Sequence, residues 1–364
     1  KTSHGWSGEI HIPWGSVAMP SVDEHRRLGL YMSRKVAYVD ERYGWPALPP
    51  TKPKFISELQ SLRVSGVNPK QQFSIYPFTA VTQDRVDDQV RYKTGADFFW
   101  RPSSNFQLTA TVNPDFGAVE SDEVVVNLSA TETFFPEKRL FFLEGQGIFV
   151  TSPRADTRGE GVGTGGAPTT MINTRRIGGR PLAPVTGSDV TIHERELRQP
   201  VDLIGAVKVT GQSGPLRYGL LAAFEGDYNF DAERSGDPFH LAAETSDYGI
   251  ARVLLEDEPG GSYKAIGVMT TATLNDRRDA KTHGLDAHYL SEDGKWKLDS
   301  QMFMSDIDGI DTGFGGFVDL EYTFRQGVSQ RVGIEYLDDH VDLNDLGFLS
   351  RKDNFRIRTA HVRQ

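Results

Sequence analysis

The residues with chemistry to offer crowd into one stretch. Residues 111–149 carry Asp115, Glu120, Asp122, Glu137 and Glu144 as carboxylates, and Lys138 and Arg139 as cations. Arg175 and Arg176 follow after a Gly-rich loop. Two chemistries fit these residue types. Asp115 with Glu120, or Glu137 with Glu144, has the makeup of a glycosidase acid/base pair. Alternatively the charges are structural or ligand-binding: Glu137, Lys138 and Arg139 pair with charges around them and fix the segment, while Arg175 and Arg176 hold Asp115, Glu120 or Asp122 in bidentate contacts. With 50 acidic residues in the chain, chance carboxylate pairs are common, and no catalytic set stands out. The nine histidines show no HExxH and no Ser–His–Asp spacing. The run GEGVGTGG lacks the Lys-Ser/Thr of a phosphate-binding loop and reads as a mobile loop.

Two further groups deserve naming. Asp306, Asp308 and Asp311 place oxygen ligands at alternate positions around Gly309, an echo of a calcium loop. The twelfth position, where a calcium loop needs a bidentate Glu, is Phe317, so a polar hairpin loop is the better reading and no metal is expected. Trp6, Trp14 and Trp45 offer faces on which a sugar ring stacks, or equally serve as core or interface residues of a β-sandwich. No cofactor is expected.

The elements that must position these groups are strands. Residues 92, 94, 96, 98 and 100 (Tyr, Thr, Ala, Phe, Trp) form one face of a run with period two. After a turn at residues 102–105, Phe106, Leu108, Ala110 and Val112 form the next such face. The rhythm resumes with Leu203, Gly205, Val207 and Val209, then Leu216, Tyr218, Leu220, Ala222 and Phe224, then Ile266, Val268 and Leu274. It continues with Trp296, Leu298, Met302 and Met304, then Val318, Leu320, Tyr322 and Phe324, then Val332, Ile334 and Tyr336. The opposite faces carry charges in mid-strand, Asp299, Asp319 and Glu321 among them. Short turns alternate with long polar loops. That combination is expected of an up-and-down antiparallel transmembrane β-barrel with lipid outside and water within. A soluble sandwich also alternates, and there the greasy rows would press on a second sheet.

Composition agrees without deciding. The chain has 364 residues, net charge −10, no cysteine and a mean hydropathy of −0.43. The acidity argues against nucleic acid as a partner. The absence of cysteine excludes thiolate catalysis and Cys-ligated zinc. No apolar run is long enough for a transmembrane helix, which leaves a barrel open.

The expected organisation has three parts. Residues 1–45 hold a strand at 5–14 and another at 28–38, too few for a free-standing core, and read as the last part of a β-sandwich. Residues 46–70 are a linker rich in proline, with a short helical turn around 55–62. Residues 71–364 are the barrel, interrupted at 113–149 by a segment lying in its lumen or across its mouth. Within that segment Asp122 and Glu123 suit a helix N-terminus, and Val124, Val125, Leu128 and Phe135 fall near one helical face, although three successive valines argue against a helix.

The stretch TVNPDFGAVESDEVVVNLSATETFFPEKRLFFLEGQGIF resembles the hallmark of a family of bacterial outer-membrane β-barrel proteins of unassigned function that carry a family 9 carbohydrate-binding-module-like β-sandwich at the N-terminus. GWSGEIHIPWGSV is similar to the last part of that sandwich, INTRRIGGRP to the family's arginine-bearing segment, and DLNDLGFLSRKDNFRIR to a later strand boundary. The resemblance implies an all-β fold in the bacterial outer membrane, with a role in binding, passage or assembly at the cell surface, carbohydrate being the named ligand class. Expected partners are outer-membrane lipid, carbohydrate and other envelope proteins. Rival readings are a surface carbohydrate-active hydrolase and a structural subunit of a larger envelope complex. The first half of the sandwich and the closing strands are not seen in the sequence, so further chain is expected on both sides.

Overall fold

The structure is a computed structural model that describes residues 5, 7–12, 14, 25–48, 58–67, 71–84, 89–103, 105–116, 132–155 and 168–363. The chain divides into two compact units, Lys1–Ser74 with Phe99–Gln107, and Ile75–Phe98 with Leu108–Gln364. In the first unit β1 (His25–Leu30), β2 (Met32–Val36), β3 (Glu41–Trp45) and β4 (Gln60–Ser65) form two short antiparallel pairs, β1 with β4 and β2 with β3. The single strand expected over 28–38 is broken at Tyr31 into β1 and β2. The strand expected over 5–14 is absent among the described residues there. Of the helical turn expected around 55–62, Glu58 is helical and residues 60–62 are strand: β4 finds a partner in β1 for its backbone groups, a tertiary pairing that local composition does not encode.

The principal sheet has twelve strands. Its members are β5 (Gln72–Asp84), β6 (Gln89–Ser103), β7 (Phe106–Val112), β10 (Leu203–Ser213), β11 (Leu216–Glu225), β14 (Asp247–Asp257), β15 (Tyr263–Leu274), β16 (Ala280–Leu290), β17 (Trp296–Ile307), β18 (Ile310–Arg325), β19 (Val328–Leu337) and β21 (Asn354–Arg363). Neighbours in the sheet run β21-β19-β18-β17-β16-β15-β14-β11-β10-β7-β6-β5, so each strand lies beside the previous sheet strand in the sequence. This is the up-and-down antiparallel barrel topology expected from the alternation. The remaining strands lie in the connections: β8 (Thr169–Thr170) pairs with β20 (Phe348–Leu349), and β9 (Val190–Ile192) with β12 (Asn229–Arg234), which also pairs with β13 (Asp237–Ala242).

From β10 onward the connections segregate by length. At one end they span only residues 214–215, 258–262, 291–295 and 326–327. At the other lie the insertion at 113–202 and the connections at 226–246 and 338–353, with short turns at 275–279 and 308–309 between them.

The two faces of the sheet are the reverse of those in a soluble protein. Apolar side chains at mid-strand are exposed: Val268 by 53 %, Leu285 by 45 % and Met302 by 67 %. The facing polar residues are buried, with Lys208, Arg252, Asp286 and Gln301 each 2 % exposed or less. Aromatic residues border the apolar belt on both sides. Tyr289, Trp296, Tyr322 and Phe324 sit near the short-turn end, with Trp296 and Tyr322 rings 4.6 Å apart and Tyr322 and Phe324 5.0 Å apart. Phe224, Phe314, Tyr336 and Phe355 sit near the long-loop end. Phe314 and Phe324 lie ten residues apart on β18, roughly 33 Å along a strand. A tilt of roughly 40° brings that to about 25 Å, the height of a barrel's lipid-facing band.

The hydrophobic core lies on the polar-lined side. Phe142, Ile148, Phe149, Met171 and Ile177 of the insertion pack with Ala206, Leu221, Ile250, Met269, Phe303 and Phe317 of the strands and with Val341, Leu343 and Leu346 of the 338–353 connection. One face shifts from expectation. A bulge between Leu203 and Gly205 leaves Leu203 buried and Ile204 62 % exposed, because the extra residue breaks the period of two.

Gly267 fixes a crossing on the inner face: a Cβ there would meet the Arg252 guanidinium at 2.5 Å. Gly267→Ala is therefore expected to displace Arg252 and lower the urea midpoint by the equivalent of about 1–3 kcal/mol, an overpacking cost. Gly249→Ala, with nothing within 4 Å of the new methyl, is expected to change it little.

Candidate functional site: the filled interior and the chamber at its long-loop end

The inner face is charged because its partners are carried by the insertion and by other strands. Arg252 on β14 reaches across Gly267 of β15 to Asp286 on β16, donating from both terminal nitrogens, one at 2.7 Å. Its Nε donates to the Ile148 carbonyl of the insertion at 3.3 Å. His288 contacts Asp286 at 3.0 Å through Nε2 and Asp299 at 2.7 Å through Nδ1. Arg154 of the insertion donates Nε and NH2 to Asp319 at 2.6 and 2.7 Å, and NH1 to Glu335 at 2.5 Å, with its guanidinium 4.1 Å from the Phe317 ring centroid. Gln301 of β17 donates to Thr151 Oγ1 at 2.9 Å. On β10, Lys208 donates to the carbonyls of Phe141 and Glu144, capping the short helix α1 (Leu140–Leu143) at the end where its carbonyls lack partners. Contacts of a single segment thus reach strands from β10 to β19. Along these strands the charged inner face is packed with protein.

Glu137 and Arg139 pair with each other at 2.7 Å, side chains 4 % and 7 % exposed. Glu137 also accepts from the Thr174 hydroxyl at 2.6 Å, and Arg139 donates to the carbonyls of Ile177 at 2.8 Å and Thr174 at 2.5 Å. Phe116 and Phe142 lie on the guanidinium, 4.9 and 4.2 Å from it. Within the insertion, the pair clamps residues 137–139 to residues 174–177. A Glu137 so bound is not placed to serve with Glu144 as an acid/base pair, and Glu144 turns its backbone carbonyl to Lys208. Burial raises the Glu137 carboxyl, but the hydrogen bonds and charge of Arg139, with Thr174, outweigh it and hold the carboxyl below its ordinary value. Arg176 pairs with Glu132, at 2.9 and 2.7 Å. Glu120, Asp122 and the helix expected near 124–131 lie outside the described residues, as does Trp6. Trp14 and Trp45 are exposed by 43 % and 50 % in the first unit.

The calcium echo is a hairpin. Ile307 pairs with Ile310, leaving Asp308 and Gly309 as the turn, with Gly309 at φ 77°. Asp306 is an exposed residue of β17, and Asp308 accepts from the Asp279 N–H at 3.1 Å. Among the described residues no cluster of three or more His, Asp or Glu is placed to hold a metal ion.

Above the packed interior lies a chamber of about 790 Å³ at the long-loop end. Arg175, Arg176 and Arg180 line it from the insertion, Glu225, Tyr248 and Thr273 from strand ends, and Arg278, Asp342 and Asp345 from the connections. Arg278 donates to Asp345 at 2.6 Å. Glu225 accepts from the Gly178 N–H, the Ser246 N–H and the Tyr248 hydroxyl at 3.1, 2.8 and 2.9 Å. Burial raises the Asp345 carboxyl; the opposing charge of Arg278 falls short of cancelling it, and Asp342 adds to the rise.

Residues 69–363 match the domain of unknown function DUF5916. The chain belongs to that family. No curated protein matches it. Among solved structures it is similar to OmpT, an outer membrane protein of Vibrio cholerae, at 12 % identity over 81 % of this chain and 99 % of that one, with a TM-score of 0.30. It is also similar to the anion-selective porin from Comamonas acidovorans, at 11 % identity over 81 % and 95 %, with a TM-score of 0.32. Strand order and the burial of the charged face identify the barrel fold.

Arg154, Lys208, Arg252 and the chamber arginines Arg180 and Arg278 were not singled out from the sequence. Only their position on the polar face of an alternating strand, or beside the Arg175-Arg176 pair, hints at them. Removing Arg154 takes two hydrogen bonds from Asp319 and leaves Glu335 to Asn354 and Arg356: Arg154→Ala is expected to lower stability in detergent by about 3–5 kcal/mol. Arg176→Ala, whose partner Glu132 is 53 % exposed, is expected to stay within about 1 kcal/mol. Because the Glu137 carboxyl is lowered by folding, its contribution is present above the unfolded carboxylate value of about 4.3 and is lost as pH falls through the folded value. An acid titration of the unfolding midpoint should therefore be steeper below pH ~4 for the native chain than for Glu137→Gln.

Proposed function

We propose that this chain is a β-barrel protein of the bacterial outer membrane whose interior is occupied by its own insertion, and that it acts by binding at the cell surface rather than by conducting solutes through an open bore. The observation that carries this reading is the apolar belt, exposed at mid-strand and bordered by aromatic rows, set against a buried charged inner face. Only a lipid surround stabilises that arrangement over its inverse. The long connections and the chamber lie at the same end of the sheet, which suits a loop end turned toward the exterior. The exposed Trp14 and Trp45 support carbohydrate as a ligand of the first unit, the role its resemblance to a carbohydrate-binding module implies.

The test is dependence on an amphiphile. The full chain is expected to fractionate with outer membranes and to be monodisperse only in detergent or lipid. Leu285→Arg, at the middle of β16, is expected to weaken folding into lipid vesicles by about 2–4 kcal/mol. In a water-exposed site the same change would stay within about 0.5 kcal/mol. A chain that is monodisperse in plain buffer, with Leu285→Arg silent, overturns the membrane assignment.

A further inference from the structure

The chamber at the long-loop end has equal numbers of arginines and carboxylates on its walls, yet the two sets are not equally committed. Each carboxylate already accepts from protein: Glu132 from Arg176, Asp345 from Arg278, Glu225 from two backbone N–H groups and Tyr248, and Asp342 from the backbone and side-chain nitrogens of Asn344 at 2.9 and 2.8 Å. Several donors are not so committed. Arg180, exposed at the rim, has no partner among the described residues. Arg176 spends its terminal nitrogens on Glu132 and leaves Nε buried without a partner. Thr273, 5 % exposed on the chamber wall, has a buried hydroxyl with no partner among the described residues. Leaving such a group unsatisfied costs about 1–3 kcal/mol, which a bound acceptor returns.

We propose that the chamber binds a small anionic molecule through its carboxylate or phosphate oxygens, with Arg180 supplying the charge and Arg176 Nε and the Thr273 hydroxyl completing the contacts. The volume of about 790 Å³ lies in the usual range for small-molecule sites, about 300–1,000 Å³. A neutral polyol has acceptors but no charge to set against Arg180, and a cation would face donors already lacking acceptors. This inference names the ligand class for the binding role proposed above and rests on that reading.

Calorimetry on the full chain in detergent tests it, with glucuronate, inorganic phosphate and glucose as probes. Saturable binding of glucuronate, phosphate or both is expected, weakened by added salt. Whether one or both bind tells which oxyanion the site prefers. Arg180→Ala, at an exposed position that leaves folding intact, is expected to weaken binding at least tenfold. Thr273→Val should weaken it severalfold, with the unfolding midpoint recorded alongside to confirm the fold. Glucose binding as tightly as glucuronate, absence of binding by both anions, or unchanged affinity in Arg180→Ala overturns the proposal. Binding in detergent reads the chamber alone, whereas vesicle folding of Leu285→Arg reads the membrane assignment, so the two readings fail separately.

Discussion

Every charge on the inner face of this sheet has to meet an opposite charge or a hydrogen-bond partner on that same side, because the other side is apolar. Arg252 reaches Asp286 two strands away, Arg154 reaches two strands from the insertion, and Lys208 reaches the carbonyl end of a helix of one turn. Burying such ions costs several kcal/mol each unless the geometry is close to ideal. The bidentate contacts and the guanidinium stacked on Phe317 meet that condition. The insertion is held in place by these pairs, and in turn the strands are free to carry charge at mid-height.

This constraint explains how the hydrophobic core and the polar network come to share one space. Phe142, Ile148 and Phe149 fill the volume between charged contacts, so water is displaced and the remaining ion pairs strengthen. Gly219 and Gly267 permit it: a side chain at the first would meet Ile148 and Phe149, and at the second Arg252. The chamber begins where this packing stops, at strand ends where Glu225, Tyr248 and Thr273 meet residues 175–182 and 342–345.

Much of the wall was legible in the sequence. Period two placed Val268, Met302 and Ile334 on the outward face and Asp299, Asp319 and Gln301 on the inward one, since the pleat enforces it. The bulge at Leu203 was not legible, because one extra residue leaves no compositional trace. The strand β4 was hidden in a proline-rich stretch because its reason is its partner, β1. The charged side chains of Glu137, Arg139 and Arg176 were legible as candidates, but the partners they have among the described residues were not. Glu137 pairs with a residue two positions away, and Arg176 with Glu132, while Arg154 and Asp319 meet across 165 positions of sequence. Spacing cannot reveal a contact that exists only once strands have curled around an insertion.

The alternation of environments along β15 is the most direct test of this account. The chain has no cysteine, so single substitutions Ala265→Cys, Ile266→Cys, Val268→Cys and Met269→Cys can each carry a fluorophore in lipid vesicles. Brominated lipid is expected to quench the label at positions 266 and 268 strongly and at 265 and 269 weakly. Equal quenching at all four positions, or ready reaction of 266 and 268 with a water-soluble thiol reagent in intact vesicles, would contradict a sheet with lipid on one face and packed charge on the other.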